Sequence, residues 1–317
     1  MIGRIVEIAS DGRYLHKKRG SLVIKDGDDD VGSVPLDDVS GLILNARGIV
    51  ISSNLLAALA ERACPVVICA PNLKPVGVVW AFDGHHVGAK RLDAQLEAGK
   101  PLKKRLWQKI VQAKLAMQAA VLESLNLPCA PIRSLIPRVR SGDSSNMEGV
   151  GARRYWAFLF GKGFRRDPDG SDVNALLNYG YAVLRACVAR HVMACGLHPG
   201  VSLNHRNEGN PLRLVDDLIE PFRPLVDARV KSLAESGEVD LSAESKSYLV
   251  SVLTCPVKVS GITRPVTLAV QQLCLSFVKS LEVQSPALEF PDADLDCLAV
   301  MSRGWRAQGS EDEEISD

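Results

Sequence analysis

Four side chains stand out by type and setting: Glu148, His205, Asp217 and Glu220. Glu148 lies in SSNMEGVGARRYW, where Ser144 or Ser145 can cap a helix and set the glutamate in or near its first turn. A helix N-terminus favours negative charge by itself, so this position fits a structural acid as well as a chemical one. Arg153, Arg154, Tyr155 and Trp156 follow, basic and aromatic residues that suit a polyanion, although the rings can equally pack in a core. His205 sits in GLHPGVSLNHRNEGNPLRLVDDLIE, between two helices, with Asn204, Arg206, Asn207 and Asn210 around it. A loop histidine can be an exposed bystander, but the density of polar side chains favours a site. Asp217 and Glu220 are three residues apart and share one helix face, with apolar Leu218 and Ile219 between them. Such a pair repels unless a cation neutralises it, either a metal ion or Arg213 or Arg223 in ordinary salt bridges. Pro221 and Pro224 are expected to interrupt the helix just past Glu220.

One imidazole with two or three carboxylates makes a mixed oxygen and nitrogen donor set, suited to Mg²⁺ or Mn²⁺ and poor for a soft metal. A divalent ion held by carboxylates is the usual device for phosphodiester chemistry, since it activates the attacking oxygen and neutralises charge on phosphorus. The spacing alone does not identify that chemistry. A second signal supports it. Between 133 and 166 stand Arg133, Arg138, Arg140, Arg153, Arg154, Lys162, Arg165 and Arg166, against only Asp143 and Glu148. A solvated helix face mixes signs, whereas counterion release from a phosphate backbone is the natural use of a one-sided cluster. Lys103, Lys104 and Arg105 can add to it. No helix-turn-helix or zinc finger is readable, so contacts to backbone and shape are expected over base-edge contacts.

The elements that must position these residues follow from the rest of the chain. Its 317 residues allow one large domain or two. A hydrophobic content of 46% and a charged content of 24% are ordinary for a globular protein and exclude disordered, collagen-like and coiled-coil classes. No apolar run reaches the ~18 residues that span a bilayer, and MIGRIVEIASDGR carries charge where a signal peptide is apolar. A cytoplasmic protein without a membrane partner is expected. The net charge of +1 hides a basic body and an acidic tail, GSEDEEISD. Eight cysteines include no CxxC pair and most sit in apolar stretches, as reduced core residues do.

The chain changes character near residue 80. Alternating or β-branched runs at 2–9, 21–24, 41–44, 48–51, 65–69 and 76–80 predict strands, and 25–30 a polar hairpin tip. Residues 52–54 offer a cap for one short helix. The Gly-, His- and charge-rich stretch 81–101 predicts a linker. From 102 onward apolar residues recur at helical spacing, over 102–126, 146–160, 173–195, 214–234, 242–253 and 264–281. The expected fold is α+β: a small N-terminal β-rich domain over 1–80, a linker over 81–101, an all-α catalytic domain over 102–300, and an acidic disordered tail over 301–317.

Three ordered blocks, NMEGVGARRYW, GLHPGVSLNHRNEGNP and LVDDLIEPFRPLVD, resemble the CRISPR-associated integrase of spacer acquisition in its type II branch. GHHVGAKRLDAQ and the run from Arg19 to Ile68 fit the same branch, so the resemblance covers about residues 10 to 280. It implies a β domain, a linker and a helical catalytic domain, and a metal-dependent DNA endonuclease and integrase that inserts short foreign fragments into a repeat array. It puts the metal ligands on Glu148, His205 and Glu220, with Asp217 as a secondary member. Ser202 stands where the family has glycine and Leu212 where an aromatic is common; neither is a ligand. The implied partners are double-stranded DNA, a second copy paired through the β domain, a small CRISPR-associated protein bridging two dimers, the guide-RNA effector nuclease and an accessory adaptation protein. Two other readings are a non-catalytic DNA-binding scaffold of the adaptation complex and a hydrolase of small phosphoesters. All of Glu148, His205 and Glu220 being present speaks against the first, and eight clustered cations against the second.

Overall fold

Strands open the chain where β-branched residues cluster: β1 (Arg4–Ile8), β2 (Tyr14–Lys18), β3 (Ser21–Asp26), β4 (Asp29–Pro35), β5 (Val39–Leu44) and β6 (Val50–Ile51). Helix α1 (Ser53–Glu61), capped by the Ser52 hydroxyl, is followed by β7 (Val66–Cys69) and β8 (Pro75–Val79). A computed structural model of the chain describes residues 4–62, 64–70, 75–79, 81, 88–295 and 297–298. The acidic tail, His85 and His86 of the linker stretch, and Trp80 lie outside them.

One sheet runs β1-β5-β7-β8, its first three strands parallel and β8 antiparallel. The other runs β4-β3-β2-β6, an antiparallel meander with β6 added parallel to β2. Sequence pattern alone misses β2 and β4. In β2 Leu15 is the one fully buried side chain and in β4 none is, so both strands form by pairing with β3, whose Leu22 and Val23 are buried. The polar run 25–30 is therefore mostly strand, turning at Gly27 with φ +59°.

The parallel sheet has two buried faces. Leu42 and Val66 point into a small core with Leu15, Leu22, Leu36, Leu55 and Leu59. Their neighbours Ile43 and Val67 point the other way, into the large core of the helices. This alternation explains why GLIL and VVIC read as continuous apolar runs rather than alternating ones.

The helical part comprises α2 (Gly88–Glu97), α3 (Lys100–Ser124), α4 (Ala130–Arg133), α5 (Met147–Phe160), α6 (Val173–Ala194), α7 (Arg213–Leu218), α8 (Arg223–Glu235), α9 (Ala243–Val250) and α10 (Val266–Glu282). Buried over nearly its whole length, α6 packs against α8, α9, α10 and β5. Two expectations need correction. The stretch 81–101 contains α2, whose buried Gln95 accepts from the His198 N–H at 2.8 Å and donates to the His198 carbonyl at 3.1 Å. The part after 102 is not all helix: β9 (Pro256–Val259) and β10 (Ile262–Pro265) form a hairpin around Ser260 and Gly261, both at positive φ as a tight turn requires. The prolines past Glu220 do break the helix, leaving a short 3₁₀ turn at Glu220–Phe222 between α7 and α8. Among the described residues no helix is long and apolar enough to cross a membrane. All eight cysteines are free, and each is buried or half-buried.

Candidate active site

Glu148 occupies the first turn of α5, but neither serine caps that helix. Asn146, held at φ +51°, accepts from the Gly149 N–H. Asp143 reaches forward from the preceding turn to accept from the N–H groups of Met147 at 2.8 Å and Glu148 at 2.9 Å. These bonds satisfy orphan donors and fix the start of the helix. Helix α5 crosses α3 closely at Gly151, where a Cβ would lie 2.3 Å from the Leu115 side chain. That approach brings Glu148 to Lys114.

Lys114 is the residue that sequence reading misses. Its Nζ lies 2.7 Å from Glu148 Oε1 and 2.5 Å from Glu220 Oε2, so one ammonium joins carboxylates from α5 and from the turn between α7 and α8. The other oxygen of Glu220 accepts from Arg223 Nε at 2.9 Å. Burial alone would raise the Glu220 carboxyl, but the Arg223 guanidinium and Lys114 outweigh it and hold it well below the usual carboxylate range. Burial also disfavours the Lys114 ammonium, and here Glu220 and Glu148 overcome it and raise that group. A detectable signal existed. Lys114 lies on the stripe of α3 formed by Trp107, Ile110, Val111 and Gln118, all buried, and a charge on such a stripe needs a partner.

His205 and Asp217 come together as a pair. His205 Nδ1 is 2.7 Å from Asp217 Oδ1, and the fully buried Asp217 also accepts from the backbone N–H groups of Leu203, Asn204 and His205. Asp217 thus tethers the loop and the ring, and Nδ1 carries the shared hydrogen. The bond to Asp217 is the main reason the His205 imidazole titrates above its ordinary range. Nε2 takes part in no hydrogen bond among the described residues, and the ring meets Trp107 edge-on with centroids 5.7 Å apart. Asp216 is paired with Arg185 at 2.7 Å, and both line the cavity that opens beside His205.

A cavity of about 510 Å³ opens beside His205, lined also by Arg166, Tyr181, Arg185 and Arg223. Arg223 stacks over the Tyr181 ring at 4.7 Å, and the Tyr181 hydroxyl donates to buried Asp227, whose carboxyl burial pushes up to about 7. Of the eight clustered cations all but Arg166 are exposed: Arg133, Arg138, Arg140, Arg153, Arg154, Lys162 and Arg165. Arg133 is engaged by Glu123, and Arg166 turns inward to Asn174 and Asn178. Among the described residues no three His, Cys, Asp or Glu side chains gather as a ready metal cage. Glu148 and Glu220 are instead held together by a cation of the protein's own.

The family model described as CRISPR associated protein Cas1 matches residues 6–251. The chain is 37% identical over 281 residues to the CRISPR-associated endonuclease Cas1 of Neisseria meningitidis, covering 87% of this chain and 91% of that one. Among solved structures it is similar to a casposase bound to integration product, with a TM-score of 0.75 at 20% identity over 100% of this chain and 96% of that one. It is also similar to a chain of a Cas6-RT-Cas1–Cas2 complex, with a TM-score of 0.70 at 18% identity over 90% of this chain and 35% of that one. At such identities the two structural likenesses speak for the fold.

Proposed function

This chain belongs to the Cas1 family of CRISPR-associated proteins, and from that premise we propose that it is a divalent-ion-dependent DNA endonuclease and integrase. It joins short DNA fragments to a CRISPR repeat array by attack of a 3′-hydroxyl on a phosphodiester. One observation carries the reading: two carboxylates bridged by a cation lie next to an imidazole oriented by a buried aspartate, at the edge of an arginine-lined cavity. The relative named an endonuclease and the casposase seen with an integration product support it.

The donors fit a hard ion, Mg²⁺ or Mn²⁺. Glu220 Oε2 is buried, and the group set against it is already a cation, the Lys114 ammonium. Glu148, Glu220 and His205 would hold the ion, which when bound neutralises charge on the scissile phosphate and activates the attacking oxygen. Asp217 keeps the imidazole in one tautomer, which leaves the lone pair on Nε2 as the one a metal ion would take. Arg166, Arg185 and Arg223 lend positive potential to the cavity in which a phosphate is received. With water in place of the 3′-hydroxyl the same arrangement hydrolyses DNA.

Integration at both ends of a repeat needs two sites held apart. A second copy of this chain and a small bridging Cas2 protein therefore belong to the proposal, as do the guide-RNA effector nuclease and an accessory adaptation protein. The likeness to a chain from a Cas1–Cas2 assembly supports the bridging partner. The test is strand transfer from a short duplex with free 3′ ends into a repeat-bearing supercoiled plasmid, with Cas2 present. Mg²⁺ or Mn²⁺ should support joining and a chelator should stop it. Glu148→Ala, His205→Ala and Glu220→Gln should each lose at least about 100-fold with an unchanged circular dichroism spectrum. Full joining in chelator, or by His205→Ala, would overturn the reading.

A further inference from the structure

We propose that Lys114 is the resident counter-cation of this site: its ammonium holds the place between Glu148 and Glu220 that a divalent ion takes, and the ion enters by displacing it. The proposal rests on the metal-dependent reading above and deepens it.

The geometry sets the two cations in competition for the same oxygens. Nζ stands 2.7 Å from Glu148 Oε1 and 2.5 Å from Glu220 Oε2. Hard divalent ions bind oxygen closer still, at about 2.0–2.1 Å for Mg²⁺. An ion drawn in between these two oxygens would take the place the ammonium now fills. Glu220 has no spare oxygen to offer instead, because Oε1 is held by Arg223.

Burial separates this contact from a surface salt bridge. The Lys114 side chain is 12% exposed and that of Glu220 5%, so neither charge can be left to water when the other leaves. Three elements converge here, α3, α5 and the turn after α7, and the ammonium is the group that joins the two carboxylates. Glu148, at 26%, is the more open of the two carboxylates and gives an arriving ion its approach. A lysine suits displacement. Its point charge rides on a flexible four-carbon stem, whereas the planar fork of an arginine grips a carboxylate through two bonds. The affinity of the site for an ion is then the difference between two occupants, and a protein without the lysine charge should bind the ion more tightly.

The experiment uses the full chain and Mn²⁺ alone. Binding is measured by calorimetry, and thermal unfolding is followed with and without chelator, for the wild type, Lys114→Met and Glu148→Ala. Lys114→Met should bind Mn²⁺ at least ten times more tightly than wild type, a difference of about 1.4 kcal/mol. Its melting temperature should fall in chelator and rise more steeply with Mn²⁺ than that of wild type. Equal or weaker binding by Lys114→Met, while wild type binds and Glu148→Ala does not, overturns the proposal and leaves the metal site standing. Absence of binding by wild type, or equal binding by Glu148→Ala, overturns the metal reading and this proposal with it. Should Lys114→Met fail to fold, amine acylation of wild type followed by peptide mapping decides. Labelling of Lys114 should rise several-fold when Mn²⁺ is added, and unchanged labelling overturns the displacement.

Discussion

Both oxygens of Asp217 are committed to the 203–205 backbone and the His205 ring. Asp217→Asn keeps the shape but sets an amide N–H against donors, so the ring loses its anchor. Strand transfer should fall about 10- to 100-fold. The pH dependence has a definite sign. The Asp217 hydrogen bond raises the His205 pKa, so the ring gains its second proton at a higher pH than a free histidine and loses the lone pair on Nε2. Wild-type activity should decline as pH drops through that raised value. In Asp217→Asn the acid limb of the residual activity should move to lower pH, and a pH–rate profile with an unmoved limb would contradict this role. At this scale the sequence is informative about carboxylates and imidazole because their types are rare in such settings. Lys114 hides among many lysines, and only its register with Trp107 and Ile110 distinguishes it. Arg223, one of two arginines that could neutralise the acidic pair, proves to be the partner of Glu220.

The entry of α5 shows what elements add. Asp143 stands four residues before the helix and takes its first two N–H groups, so Asp143→Ala should destabilise the protein by about 1–2 kcal/mol in urea unfolding. Ser144→Ala and Ser145→Ala should each stay within about 0.5 kcal/mol, since neither hydroxyl caps the helix. Helix existence was readable from periodicity, but this cap was not. Asp143 and Asn146 both sit at positive φ, a loop geometry that no spacing rule announces. Helix α2 was hidden for another reason. Glycine and histidine precede it, its one fully buried polar side chain is Gln95, and its docking partner is the 198–201 loop far along the chain. The β9–β10 hairpin carries a legible turn pair in Ser260 and Gly261, overridden in reading by the helical stretches on either side.

Across the whole molecule, the exposed cations between 138 and 165 form an electrostatic footprint that pairwise contacts do not describe. DNA affinity should fall steeply with salt. The double variant Arg138→Glu/Arg140→Glu should flatten the log–log salt slope by about two, and an unchanged slope would remove that segment from the DNA path. The change of character near residue 80 was visible because strand and helix periods differ, but periodicity does not tell which cores touch. The parallel sheet serves both, with Leu42 on one side and Ile43 on the other. That sheet also sets the tempo of folding. β1 must wait for β5, with the whole β2–β4 meander made in between, and β5 must then wait for β7 beyond α1. Loop closure precedes any reward from burial, so the nascent chain should linger with unpaired strand edges on which another copy can add. Yield on expression should therefore be governed by temperature and synthesis rate more than by the stability of the finished protein.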